Sequence, residues 1–280
     1  MDSADALISF LRWGYKRAPA NHYYLVIADH GNGFQGIAFD ETSGGANWGW
    51  GEYLSASEIR TALGAPGVPH IDILHLDACS MALIDVAYEL RDSADYLIAS
   101  QYVGWSFFEY DEYARYVTAF TPPSELAKAI VRRYAYLSHK ANLPYTVSAL
   151  DLRHITPLKD AIDQLAVDLK SWVNTDDQSL GRHRMLFTGI RGASQFFDSN
   201  SNFLNTPRDG YVDIEDFARL VQHTIESPDI QQDVAAVLAE FNSNDEDRLI
   251  LQESHMTGML PPQYAGGVEI PLLRASGLSL

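Results

Sequence analysis

Apolar positions recur at helical spacing from the start of the chain. In MDSADALISFLRWGYKRAPA, Leu7, Ile8, Leu11 and Tyr15 share a face, which predicts an amphipathic helix over 2–17. Six mostly apolar residues follow at 23–28, then a polar, Gly-rich turn, the signature of a strand that ends at the turn. The same grammar repeats. SASEIRTALG (55–64) predicts a short helix opened by a serine cap. HIDILHLDAC (70–79) predicts an apolar strand ending near residue 77, and SMALIDVAYELRD (80–92) a helix with its acidic residues outward. ADYLIASQ (94–101) and YTVSALDL (145–152) predict strands, and residues 123–140 and 156–173 predict helices. Near-continuous apolar strands alternating with helices indicate an α/β fold, a mostly parallel sheet with helices on both faces.

Beyond about residue 175 the rhythm changes. SQFFDSNSNFLNTPRDG (194–210) is a long polar connection, followed by a helix in YVDIEDFARLVQHTI, another near 229–241, and a strand region in GGVEIPLLRASGLSL. The pattern divides the chain into a core over 1–175 and a smaller, mostly helical C-terminal region over 176–280 that ends in a strand region.

Composition narrows the function classes. Of the 280 residues 46% are hydrophobic and 20% charged, ordinary for a globular chain. The formal charge of −17 argues against a nucleic-acid surface, which needs clustered Lys and Arg to neutralise phosphate. No apolar run approaches the ~20 residues of a membrane helix. The N-terminus has no basic-then-apolar signal-peptide pattern. A single cysteine rules out an intramolecular disulfide and a cysteine-based zinc site.

That cysteine, Cys79, lies just past the strand 70–77, and His30 lies just past the strand 23–28. Sites in open α/β sheets form at the carboxyl ends of strands. If these two strands are neighbours, their ends are ~5 Å apart and the two side chains can meet. A helix beginning at residue 80 would also put Cys79 at a helix N-terminus, where the dipole favours thiolate. Among nine histidines, His75 sits within its strand as a core residue. His22, His70, His139, His154, His183, His223 and His255 have no comparable strand-end setting.

Two other motifs compete. GNGFQG, Gly31 to Gly36, fits G-x-G-x-x-G after a strand. A dinucleotide site needs a helix starting within that loop, and the residues that follow are rich in Gly, Trp and turn formers. NTPRDGYVDIED (205–216) places Asp209, Gly210, Val212 and Asp213 at offsets suited to a calcium loop. Pro207 at a ligand position and Asp216 at the end favour an acidic turn capping the next helix, leaving Ca²⁺ a minor alternative.

YYLVIADHGNG followed by ILHLDACSMALIDVAYELRDSADYLIAS resembles the clostripain-like cysteine peptidases of the caspase-like clan. The likeness continues through SELAKAIVRRYAYLS, TVSALDL and GYVDIEDFARLV, and so covers nearly the whole chain. It implies a caspase-like fold and an endopeptidase that cleaves protein or peptide substrates after Arg or Lys, with no required cofactor. Carried over by position, it implies His30 and Cys79 as the catalytic dyad. The amides of Gly31 and Cys79 would be oxyanion donors, and Asp77 the acid that binds the basic side chain. A carboxylate in a desolvated pocket selects such a group by a charge-assisted hydrogen bond; taken by itself, Asp77 reads as a helix-capping acid.

The chain departs from the family pattern at Ser80, usually apolar, and Ala82, usually glycine. The family also has one or two strands before the helix at 2–17 and a closing strand running past GLSL. On this reading the chain lacks its first strand or strands. Family members mature by self-cleavage after a basic residue between the catalytic segments, and between His30 and Cys79 the only Lys or Arg is Arg60. Secretion or the cell envelope is the compartment the resemblance implies. The alternative from another class is a catalytically silent caspase-like binding module; a third is dinucleotide binding through Gly31–Gly36.

Overall fold

The computed structural model describes residues 3–40, 51–106, 108–118, 120–175, 181–199, 202–206, 209–242, 248–265 and 267–280. Helix α1 (Ala4–Arg17) is capped by Ser3, which accepts from the Ala6 amide, and it ends on Lys16 and Arg17, opposite in charge to its dipole. Its buried Leu7 and Leu11 pack it on α2 (Ala56–Leu63). Between them lie strand β1 (Tyr24–Ala28) and the hairpin of β2 (Ile37–Asp40) with β3 (Glu52–Leu54). α2 opens on a full capping box: the Ser55 hydroxyl accepts from the Glu58 amide, and the Glu58 carboxylate accepts from the Ser55 amide.

Strand β4 (Ile71–Asp77), helix α3 (Ile84–Glu89), strand β5 (Ala94–Ala99), helices α4 (Tyr110–Tyr116) and α5 (Pro123–Lys140), strand β6 (Tyr145–Asp151) and helix α6 (Ile155–Asn174) follow. Helix α7 (Arg182–Ala193), the short strands β7 (Phe196–Phe197) and β8 (Tyr211–Val212), helices α8 (Ile214–Thr224) and α9 (Pro228–Asn242), and strand β9 (Ile250–Met256) complete the frame. Five strands form the central sheet in the order β1-β4-β5-β6-β9. β1, β4 and β5 pair parallel, and β6 runs antiparallel to both β5 and β9, so four of the five strands point one way. Helix α5 lies along one face, against β4, β5, β6 and β9. β4 is buried at every position but its last, so its alternating side chains are covered on both faces. Helices α1, α2, α3, α6, α9 and α8 pack in succession to make the other layer.

Four differences from the sequence pattern stand out. The helix expected from residue 80 begins at Ile84 and is six residues long. Residues 80–83 take strand-like partners instead: Ser80 donates to the Tyr102 carbonyl, Ala82 donates to Ser100, and the Ala82 carbonyl accepts from Ser279. Ser80 also sits at φ 58°, outside helical geometry. The last strand of the central sheet is β9, a segment with no strand signal because it reads ILQESHM and is half-exposed along its length. Within the expected terminal strand region only Glu269–Ile270 pairs as a strand, with Gly258–Met259, while Ser279 bridges to Leu83 and Asp213. Helix α7 lies in a stretch with no clear apolar stripe, and of its side chains only Ile190 is buried.

Candidate active site

β1 and β4 are adjacent and in register, with Ala28 opposite Asp77, and Asp29 donates its amide to the Asp77 carbonyl at 3.3 Å. The chain therefore leaves both strands side by side. His30, Gly31, Asn32, Phe39, Cys79, Ser80, Val103, Asp198 and Phe203 line one cavity of about 180 Å³ at these strand ends. His30 is exposed at its rim and Cys79 is half-buried.

Gly31 is held tightly against the cysteine loop. A Cβ there would stand 2.6 Å from the Cys79 carbonyl oxygen and 2.7 Å from Ala78 Cβ, so only glycine permits this approach. The Asn32 amide donates to Gly36 and the Ala38 amide to His30, forming the bridge between Gly31 and Ile37. Neither the Gly31 amide nor the Cys79 amide donates to another residue among the described residues. An anion-binding pair requires amides that are not already committed to another residue. The Gly31–Gly36 run forms a single 3₁₀ turn over Gly33–Gln35 and passes into β2. The helix a dinucleotide pyrophosphate needs is absent from that turn.

Because α3 starts at Ile84, its N-terminus does not support Cys79. Burial raises its thiol above the ordinary cysteine value, and the carboxylates of Asp198 and Asp77 push the same way. The Gly104 amide directed at the sulfur pulls in the opposite direction. Gly104 packs closely there: a Cβ would stand 3.0 Å from the Ala78 carbonyl carbon, so any larger residue would require the loop to shift by a few tenths of an ångström.

Asp77 does not line the Cys79 cavity. Its side chain turns to the α5 side of the sheet, where the Tyr110 hydroxyl donates to its Oδ2. Burial raises the Asp77 carboxyl and this hydrogen bond opposes the shift. His75, on the same face, is the buried sheet residue anticipated from its place in the strand. Its Nδ1 is hydrogen-bonded to the Tyr24 hydroxyl at 2.7 Å, and burial lowers its pKa to about 3, which keeps it neutral. Other histidines are engaged elsewhere: His22 with Asp72, His70 with Asp95, His255 with Glu253, and His183 stacked on Trp172.

Asp198 and Phe203 were not legible as site residues. They lie in the polar connection 194–210, more than a hundred positions after Cys79, and no local pattern marks them. Ser80 holds this segment in place, its hydroxyl donating to the Asp198 carbonyl at 3.2 Å. The Asp198 carboxylate accepts from the Phe203 amide. In the loop considered for calcium, Asp209 accepts from the amides and hydroxyls of Ser199 and Thr206. Asp213 caps α8 by accepting from the Asp216 amide, the role expected of an acidic turn. Pro207 lies outside the described residues. Among the described residues no three His, Cys, Asp or Glu converge as metal ligands, and no helix is long and apolar enough to cross a membrane.

Comparison with known proteins agrees with this architecture. The model of the clostripain family, Peptidase_C11, matches residues 1–268. Clostripain from Hathewaya histolytica is 28% identical over 210 residues, covering 61% of this chain and 39% of clostripain, so the chain matches about two fifths of that relative's length. A secreted C11 cysteine protease from Bacteroides thetaiotaomicron, solved with an irreversible peptide inhibitor, superposes with a TM-score of 0.64 at 16% identity, covering 99% of this chain and 70% of that one. An inactive zymogen C11 protease from Parabacteroides distasonis gives a TM-score of 0.57 at 18% identity, covering 99% and 69%. At these identities the superpositions speak for the fold, which is that of C11 proteases, and the match along the sequence speaks for descent. The chain belongs to the clostripain family.

Proposed function

We propose that this chain is a cysteine endopeptidase that cleaves after Arg or Lys, with Cys79 as nucleophile and His30 as its proton acceptor. The observation that carries the reading is the single cavity shared by His30, Gly31 and Cys79 at the ends of two adjacent strands. Family membership supports the reaction class.

In this mechanism substrate enters the cavity and His30 takes the Cys79 proton as the sulfur attacks the scissile carbonyl. The raised thiol favours proton removal during attack over a thiolate formed beforehand. The Gly31 and Cys79 amides would stabilise the oxyanion, each by ~3 kcal/mol on the scale of known donors. Protonated His30 then passes its proton to the leaving amine, and water releases the acyl group. The reaction needs no cofactor. Asp77 would bind the basic side chain from the α5 side of β4. Arg60 lies within α2, pairs with Glu89 at 3.2 Å and sits between buried Ile59 and Ala62. It is thus in a helix and not in the extended conformation a peptidase cleaves.

The test is hydrolysis of fluorogenic Arg and Lys peptides under reducing conditions by the wild type, Cys79→Ala and His30→Ala. Both variants should lose activity by several orders of magnitude. Hydrolysis surviving in Cys79→Ala would overturn the mechanism, and no hydrolysis by the wild type would favour the silent binding module.

A further inference from the structure

Asp77, the acid proposed to recognise the basic side chain, already has a partner. Tyr110, the first residue of α4, donates its hydroxyl to Oδ2 of Asp77. Among the described residues no Lys or Arg pairs with this carboxylate, and its surroundings are aromatic. The Tyr24 and His75 rings stack at 6.1 Å, Phe108 meets His75 edge-on at 4.3 Å, and Tyr110 lies 6.4 Å from both His75 and Phe108. The half-buried negative charge is therefore left without a cation, while Tyr110 remains partly exposed at the surface. Tyr110 is also held in place. Glu109 before it pairs with Arg133 of α5 at 2.6 Å, and Tyr113, one turn on, is buried.

A carboxylate offers two oxygens. The planar fork of a guanidinium binds best when both are available, whereas an ammonium is a compact point charge with three rotating donors. We propose that Tyr110 is a positioning residue that sets the balance between Lys and Arg at this site: by holding Oδ2 it leaves Oδ1 as the acceptor for the incoming cation. A lysine ammonium can use Oδ1 and reach the lone pairs of the Tyr110 oxygen. An arginine making its two-point pairing must share Oδ2 with the Tyr110 hydroxyl, which weakens that pairing. The inference rests on the reading of Asp77 as the specificity acid. The same hydroxyl favours the charged form of Asp77 and so opposes the upward shift that burial imposes.

The experiment measures kcat/KM for three peptides differing only in Lys, Arg or Gln before the scissile bond, with the wild type, Tyr110→Phe and Asp77→Asn. The Arg-to-Lys ratio within one preparation cancels the fraction of folded enzyme. Tyr110→Phe frees the second oxygen and should raise that ratio about tenfold, the scale of one charge-assisted hydrogen bond. It should also move the acid limb of kcat/KM on the Lys peptide to higher pH, because Asp77 loses the bond that opposes its burial. Asp77→Asn should abolish the preference for either cation over Gln. An unchanged ratio in Tyr110→Phe, with basic preference lost in Asp77→Asn, overturns the role of Tyr110 and leaves Asp77 standing. Basic preference retained in Asp77→Asn overturns both readings.

Discussion

The clearest steric constraint at the site is Gly31. Its α-carbon faces the Cys79 carbonyl and Ala78 at distances that exclude any side chain. Gly31→Ala must push the histidine loop away from the cysteine loop. A displacement of about 1 Å between reacting groups can cost on the order of 100-fold, so kcat/KM should fall by that scale while circular dichroism stays unchanged. Cys79 itself is testable without any substrate, because it is the only cysteine in the chain. Burial together with Asp198 and Asp77 disfavours its thiolate, so its alkylation by iodoacetamide should rise with pH to a midpoint above that of a free cysteine. Asp198→Asn removes one of the opposing charges and should lower the midpoint. A midpoint well below neutrality would mean that the thiolate is stabilised in the free protein. Asp198 itself, buried beside Cys79, had no local sequence signal, unlike the strand-end pair His30 and Cys79.

Individual elements differ in how firmly local sequence decides them. α2 carries its own start signal, and the capping box forms in full. Ser55→Ala should destabilise the protein by about 1 kcal/mol in urea unfolding and leave hydrolysis intact, since Ser55 does not line the cavity. α3 shows the opposite case. SMALIDVAYEL has helical spacing from residue 80, yet Ser80 and Ala82 pair laterally with Tyr102, Ser100 and Ser279. Hydrogen bonds supplied by distant segments outcompete a first turn whose nucleation is unfavourable in any case. The dipole support expected for Cys79 disappears with that turn. β9 and α7 escaped detection for a related reason. Each buries little of its own surface, so neither carries the apolar periodicity on which a local reading depends.

Across the molecule, the C-terminal residues join the cysteine loop to α8. Ser279 exchanges backbone hydrogen bonds with Ala82 and Ile84, while Leu278 and Leu280 pair with Ile214 and Val212. Beneath them Asp213, fully buried, accepts from Gln101 Nε2, from the Ser276 amide and hydroxyl, and from the Asp216 amide. Gln101 in turn donates to Ser279 and accepts from the Gly277 amide. Asp213→Ala would strand several buried donors at once and should cost about 3–5 kcal/mol, measured as a loss of unfolding free energy. The same variant should lower hydrolysis in the protein that remains folded, because Gln101 immediately precedes Tyr102, whose carbonyl holds Ser80.

Local sequence was enough to determine the alternation of strands and helices, the placement of His30 and Cys79 each just past a strand, and the failure of the Gly-rich run to open a helix. Each follows from apolar periodicity or turn chemistry acting within a few residues. Only the tertiary structure decided where α3 begins, that β9 closes the sheet, that Asp198 enters the Cys79 cavity, and that Tyr110 rather than solvent meets Asp77. Those outcomes depend on hydrogen bonds and burial between segments far apart in the chain, whose energies no local pattern encodes.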